Sequence, residues 1–275
     1  MLVDGYNEVK LLFALHISTI MKHTGFSKML LQYGADVNVL DGFGNTPLYY
    51  ASKNRDLNLS KLLSDRGADP NIENIVGYNP VDMAIEFAMQ SGNSALLESF
   101  LQKTDGVLVD TTILHRLASL HKLPKEEYLK VQHIIELSIS KYNAKVCAVN
   151  SLRMNPVHIA SIRNNGEIIR MLVNLYSVNV NQPDNKGETA LHKASKLGNI
   201  ESAKALLDCG ANINEENNDG ETPLDKANSA RDKWKLKLEE TSDVELYGID
   251  FNNISDTINL LKEHGAKPGK SLTKK

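Results

Sequence analysis

The feature that most constrains this chain is a period of about 33 residues. Thr46, Asn79 and Thr112 stand 33 residues apart, and Asn155, Thr189 and Thr222 follow at steps of 34 and 33. Around these positions one phrase recurs: GNTPLYYASKN from Gly44, GETALHKASKL from Gly187 and GETPLDKAN from Gly220. A unit this short cannot bury its own apolar face. Such a period therefore marks a stacked array in which each unit packs on its neighbours.

The spelling of the phrase has a physical reason. A turn glycine is followed by Thr or Asn, whose side-chain oxygen can cap free backbone N–H groups. Pro47, Pro80, Pro156 and Pro223 then fall at the first helical position, where a missing N–H is harmless. Leu and Ala pack one helix on the next, and the small residue admits a close neighbour. A second apolar run of helical spacing ends in Gly-Ala, as in SKLLSDRGADPN and AKALLDCGANIN. Gly34, Gly67, Gly210 and Gly265 are expected as left-handed helix caps.

These residues resemble the ankyrin repeat, which has a period of about 33 and a T-P-L-H-x-A signature. The resemblance implies an all-α fold: an ankyrin-repeat solenoid of about seven helix-pair repeats with β-turn fingers. The repeats are placed at 4–38, 39–71, 72–106, 107–148, 149–181, 182–214 and 215–268, with a tail at 269–275, in a single domain over 1–275. Repeat four (TTILHRLA) lacks the turn glycine and proline and carries an insertion, HKLPKEEYLK. Repeat five has Arg153 where glycine is expected, which leaves its turn open. Repeat seven is split at about Ser229 to Asn252, read as a prolonged helix followed by a loop, with the only tryptophan, Trp234, inside it.

Composition narrows the function. At 41% hydrophobic and 24% charged residues the chain can form a folded body. A net charge of -3 without a basic stripe gives no reason to expect nucleic acid or an anionic membrane as partner. No apolar run reaches spanning length, so no membrane insertion is expected. Asp4 and Glu8 stand where a signal peptide wants positive charge. Cys147 and Cys209 lack metal-ligand spacing and are read as buried thiols of a reducing, cytoplasmic compartment.

Histidines invite a catalytic reading, because His16, His115, His158 and His192 all fill the fourth letter of the phrase. Tyr49, Asp82 and Asp225 fill it elsewhere, which suits structure better than acid–base chemistry. The family resemblance implies that such a histidine bonds the turn of an adjoining repeat. No nucleophile–base pair, phosphate loop, zinc cluster or paired-carboxylate motif is legible, so no catalytic residue, metal or cofactor is expected.

What the resemblance does imply is protein binding, as adaptor, scaffold or inhibitor. Variable turn positions and late positions of each first helix are the family's partner-facing residues. Here they include Leu40 and Phe43, then Ile75, Val76, Tyr78 and Phe87, then Leu108, Val109 and Leu120, while later repeats offer polar residues such as Asn185, Lys186, Asn218 and Asp219. The early set suits an apolar anchor for a protein or peptide ligand in a concave groove; the alternative is that these side chains pack between repeats. Trp234 is a cap element or a second partner element. Val9, Leu11, Leu12 and Leu15 have no earlier repeat to pack on, which suggests a covering partner or a chain that began upstream.

Three further resemblances bear on role. Leu30 followed by Asp36-Val37-Asn38 is similar to the preference of an asparaginyl hydroxylase that modifies animal ankyrin repeats, with Asn38 as acceptor; an asparagine bonding its own turn is the alternative. LPKEEYLKVQHII from Leu123 resembles the opening of an F-box, which would make the chain a ubiquitin-ligase substrate adaptor, although Glu127 stands where that motif wants an apolar residue. Irregular repeats rich in Lys and Asn resemble ankyrin proteins of intracellular bacteria, some of which act as effectors in host cells. An ankyrin fragment of a larger enzyme is the remaining alternative.

Overall fold

The computed structural model describes residues 14–103, 113–120, 123–142, 144–241 and 244–270. Among them helices follow one another in pairs and no strand occurs. The pairs are α1 (14–20) and α2 (Thr24–Gln32), α3 (Pro47–Lys53) and α4 (Leu57–Asp65), α5 (Pro80–Ser91) and α6 (Ala95–Lys103), and α7 (Ile113–Ala118) and α8 (Tyr128–Tyr142). Then come α9 (Pro156–Ile162) and α10 (Gly166–Tyr176), α11 (Ala190–Leu197) and α12 (Ile200–Asp208), and α13 (Pro223–Thr241) and α14 (Val244–Glu263). The chain is thus all-α, with about seven helix pairs.

Two compact units are distinguished. The first holds Met1–Val109 with His133–Asn143, and the second Asp110–Gln132 with Ala144–Lys275. In the first unit α3 packs on α4 and α5, and both α4 and α5 pack on α6. In the second, α9 packs on α7, α10 and α11; α11 packs on α13, and α12 on α10 and α14. Neighbour-on-neighbour contact is what the period requires.

The recurring phrase builds each first helix as its chemistry predicts. Thr46 Oγ1 accepts the Tyr49 N–H at 3.1 Å, and Pro47 opens α3. Asn79 and Asp82 cap each other's backbone reciprocally, at 3.0 and 2.9 Å. The small sixth letter, Ala51, Ala84, Ala160, Ala194 and Ala227, is fully buried wherever it occurs. Leu48, Val81, Leu114, Val157 and Leu191 at the third letter are equally closed to solvent. Gly34, Gly67, Gly210 and Gly265 adopt φ of +88°, +87°, +82° and +85°, the left-handed caps expected from Gly-Ala.

Three details differ from or sharpen the reading of the sequence. Repeat five keeps its turn despite Arg153: the residue sits at φ +58°, its N–H reaches Asn150 O at 2.8 Å, and Asn150 N reaches Met154 O at 3.0 Å. The insertion of repeat seven is not closed by a long loop. Lys, Leu and Glu between Arg231 and Glu240 are strong helix formers, so α13 runs to Thr241 and α14 begins at Val244. Cys147 is exposed and Cys209 half-buried, where both were expected to be buried; both are free thiols.

Candidate functional site

Among the described residues the segments between helix pairs fold into short fingers, each built on one Asp or Asn. Asp41 Oδ1 accepts the N–H groups of Phe43 and Asn45, both at 2.9 Å. Asn74 does the same for Val76 and Tyr78, Asn150 for Leu152 and Met154, Asp184 for Lys186 and Glu188, and Asn217 for Asp219 and Glu221. A short side-chain acceptor that organises its own turn is an Asx-turn. The sequence carried the signal, an Asp or Asn three residues before the turn residue, though the period-based reading did not use it. Adjacent fingers are joined through the main chain: Ile75 N to Phe43 O at 3.1 Å, Asn185 N to Leu152 O at 3.0 Å, and Asn218 N to Lys186 O at 3.0 Å.

The first unit carries apolar fingertips. Phe43 is 66% exposed, Ile75 72% and Val76 69%, and Leu40 and Tyr78 are exposed beside them. The Asx-turns direct these side chains outward, because the inward side of each finger is taken by the turn's own hydrogen bonds. Phe87 is half-buried, with the Arg55 guanidinium 5.3 Å from its ring centre. Leu120 belongs to the second unit; it is half-buried, and its carbonyl accepts from Asn165 Nδ2 at 3.4 Å. Leu108 and Val109 lie outside the described residues, as do Val9, Leu11 and Leu12, while Leu15 is fully buried.

In the second unit the 150–154 finger exposes Leu152, with Val149 exposed beside it, whereas the 184–188 and 217–221 fingers are polar and sequester charge at their base. Lys193 Nζ lies 2.6 Å from Asp184 Oδ2 and 2.5 Å from Glu188 Oε2; Lys226 Nζ lies 2.7 Å from Glu188 Oε1 and 2.9 Å from Glu221 Oε2. Burial pushes the Glu188 carboxyl up, but bonds and charge from Lys193 and Lys226 outweigh it and hold the group down at about 2. Lys193 and Lys226 are raised in turn, their carboxylate partners outweighing burial. The pairing was legible as Glu before Thr and Lys five residues on, in GETALHK and GETPLDK.

Each histidine of the fourth letter bonds an adjoining finger. The Nε2 atoms of His16, His115, His158 and His192 meet the carbonyl oxygens of Asn45, Met154, Glu188 and Glu221 at 3.0, 2.8, 3.2 and 3.0 Å. His158 and His192 accept, through Nδ1, the backbone N–H of Asn155 and Thr189. The carbonyl facing each Nε2 can only accept, so Nε2 is the donating nitrogen in both; Nδ1 of His158 also lies 2.7 Å from Asn155 Oδ1. Burial lowers His115 and His192, and takes His158 to about 4, so these imidazoles are neutral at pH 7. Both nitrogens of His158 and His192 are committed to structure.

The remaining candidates also have structural partners. Asn38 Nδ2 donates to Gly67 O at 3.3 Å and its Oδ1 accepts Asp69 N–H at 2.8 Å. Asn181 bridges Gly210 and Asn212 in the same way, so this asparagine is a recurring clamp between successive fingers. Trp234 is half-buried on the extended part of α13, under Lys237 Nζ at 4.7 Å. Leu123 and Pro124 lead through a single 3-10 turn (Lys125–Glu127) into α8. Tyr128 at its head is buried, with its hydroxyl bonded to Asn165 Oδ1 at 3.0 Å. Among the described residues no group of three His, Cys, Asp or Glu side chains is placed to hold a metal ion. No helix among them is long and apolar enough to cross a membrane.

Comparison with known proteins decides the family. Models of ankyrin repeats match residues 12–42, 30–84, 125–217 and 183–238. The chain belongs to the ankyrin-repeat family. An ankyrin repeat protein of Rickettsia bellii is 33% identical over 159 residues, 57% of this chain and 21% of that protein. The human transient receptor potential cation channel subfamily A member 1 is 26% identical over 181 residues, 62% of this chain and 15% of the channel. The chain thus spans about a fifth or less of the length of these relatives. Two solved ankyrin repeat domains share the fold. That of Bcl-3 has TM-score 0.53 at 24% identity over 78% of this chain and 92% of its own, and that of human ASB11 has 0.52 at 20% over 77% and 90%. Ankyrin repeats make the chain a protein-interaction module.

Proposed function

We propose that this module binds a protein or peptide segment through the fingertips of its first unit, without catalysis. The observation that carries the reading is the placement of Phe43, Ile75 and Val76 on two fingers held together by the Ile75 N–Phe43 O bond, all more than half exposed. Exposed apolar groups on a rigid base present anchor area with no backbone ordering left to be made on binding. The Arg55-covered face of Phe87 adds a cationic margin. The helix pairs of the first unit serve as the scaffold for this surface, with adaptor, scaffold or inhibitor as the resulting role. Free thiols at Cys147 and Cys209 suit a reducing compartment such as the cytoplasm. Use as an effector in a host cell belongs to the same proposal and rests on the irregular, Lys- and Asn-rich style of the repeats.

Affinity capture with wild-type chain beside a Phe43→Ser, Val76→Ser variant tests the reading, with folding checked by circular dichroism. A partner lost only from the folded variant is the expected result. Equal capture by both forms would remove the apolar fingertips from the function.

A further inference from the structure

The fourth letter of the recurring phrase is histidine where a carbonyl of the next finger docks, but Asp225 fills it in the last described helix pair. What meets Asp225 is a donor: the Gly269 N–H, 2.7 Å from Oδ2. The segment that brings Gly269 there starts as a finger would. Gly265-Ala266-Lys267 repeats the arrangement of Gly210-Ala211-Asn212, with Asn214 Nδ2 to Gly265 O at 3.5 Å and Lys267 N to Asn214 Oδ1 at 2.7 Å. Beyond Lys267 the path departs from that of a finger. Pro268 and Gly269 turn inward, and Lys267 O lies 3.0 Å from the Thr222 hydroxyl. A Cβ on residue 269 would stand 2.2 Å from Gly220 O, so only glycine fits this approach.

Asp225 is buried, and Oδ2 gathers the Thr222 N–H at 2.9 Å and the Gly269 N–H, with the Thr222 hydroxyl at 2.9 Å sharing its one proton between Oδ2 and Lys267 O, while Oδ1 has no hydrogen-bond partner. A buried carboxylate needs such donors, and removing one leaves charge poorly compensated. We propose that Ala266–Gly269 is a built-in end cap of the second unit. It takes the place that an adjoining finger takes beside the histidine-bearing helices, and Asp225 is the positioning residue that holds it by presenting an acceptor where those helices present a donor.

Amide hydrogen exchange resolved at residues 267 and 269 tests this in the full chain. In the wild type, the Gly269 amide exchanges at least about tenfold more slowly than an unprotected amide. Asp225→His turns a donor toward the Gly269 N–H and raises its exchange about tenfold or more. The array should still fold, since His192 occupies the equivalent place in the neighbouring repeat. Gly269→Ala reaches the same outcome from the other partner, while Asp225→Asn keeps an acceptor and stays near the wild-type rate. Protection of α9 to α12 amides stays unchanged in all three, which separates loss of the cap from loss of the fold. Gly269 exchange that is already unprotected in the wild type, or that stays slow in Asp225→His and Gly269→Ala, overturns the proposal.

Discussion

His158 holds the Glu188 carbonyl through Nε2 at 3.2 Å while its Nδ1 accepts the Asn155 N–H at 3.2 Å. Nδ1 also stands 2.7 Å from Asn155 Oδ1, and protonating the ring would place a charge in a site closed to solvent. Burial therefore lowers the folded-state value to about 4, against an ordinary 6.5. A group depressed on folding contributes stability that is whole above its unfolded value and is lost as pH falls through the folded value. Stability is accordingly expected to decline from about pH 6.5 towards 4, by about 3 kcal/mol for this residue alone. NMR titration of the His158 ring should give a midpoint near 4; a midpoint above 6 would refute the assignment.

A second acid step is expected below the first. Glu188 has an ordinary value of 4.5 and is held at about 2 in the fold, so its contribution is complete above about pH 4.5 and is lost as pH falls towards 2. Replacing it with Gln leaves Lys193 with Asp184 and Lys226 with Glu221, so the lysines keep one carboxylate each. Glu188→Gln should cost about 2 kcal/mol at pH 7, the value of hydrogen bonds to a charged group. It should also flatten the loss between pH 4.5 and 2. Urea unfolding at a series of pH values reads both effects; an unchanged acid limb would show that the network contributes nothing.

Arg153 and Gly187 occupy equivalent turn positions, at φ +58° and +72°. A side chain in the left-handed region costs about 1–2 kcal/mol, part of which glycine returns by loosening the unfolded chain. Arg153→Gly is therefore expected to stabilise the protein by about 0.5–1 kcal/mol. Gly187→Ala goes the other way by about 2 kcal/mol or more, because the left-handed strain is joined by a Cβ 2.8 Å from the Asn218 backbone nitrogen. Thermal unfolding of the two variants should shift in opposite directions.

The sequence made the fold legible because its period, caps and small sixth letter are local rules obeyed several times over. The histidines at the fourth letter were readable for the same reason. In repeat seven the prolonged helix was legible from propensity, and α13 runs to Thr241; the expected loop after it was not, because an insertion has no period to show that α14 already begins at Val244. The ion network of Lys193 and Lys226 was spelled in two consecutive phrases, yet its closure needs Glu188 to face both lysines, which is a three-dimensional fact. Phe43 and Phe87 are both phenylalanines expected on the partner-facing side, and they differ in the structure. One stands on a fingertip, and the other lies half-buried under Arg55, because a finger points away from the stack whereas a helix side chain meets its neighbour.

That difference leads to a prediction about the fingertips. A side chain that stays mostly in water when the chain folds gains little from burial, so its removal should leave stability almost unchanged. Phe43→Ser and Val76→Ser are each expected to shift unfolding by no more than about 0.5 kcal/mol. Leu48→Ala, at a position fully closed to solvent in the same unit, should lose about 3 kcal/mol by leaving a cavity. Denaturant unfolding of the three variants measures the contrast. A loss at Phe43 comparable to that at Leu48 would mean that the ring is packed in solution and is not available to a partner. A neutral Phe43→Ser leaves binding as the property for which an exposed aromatic ring on a rigid finger is suited.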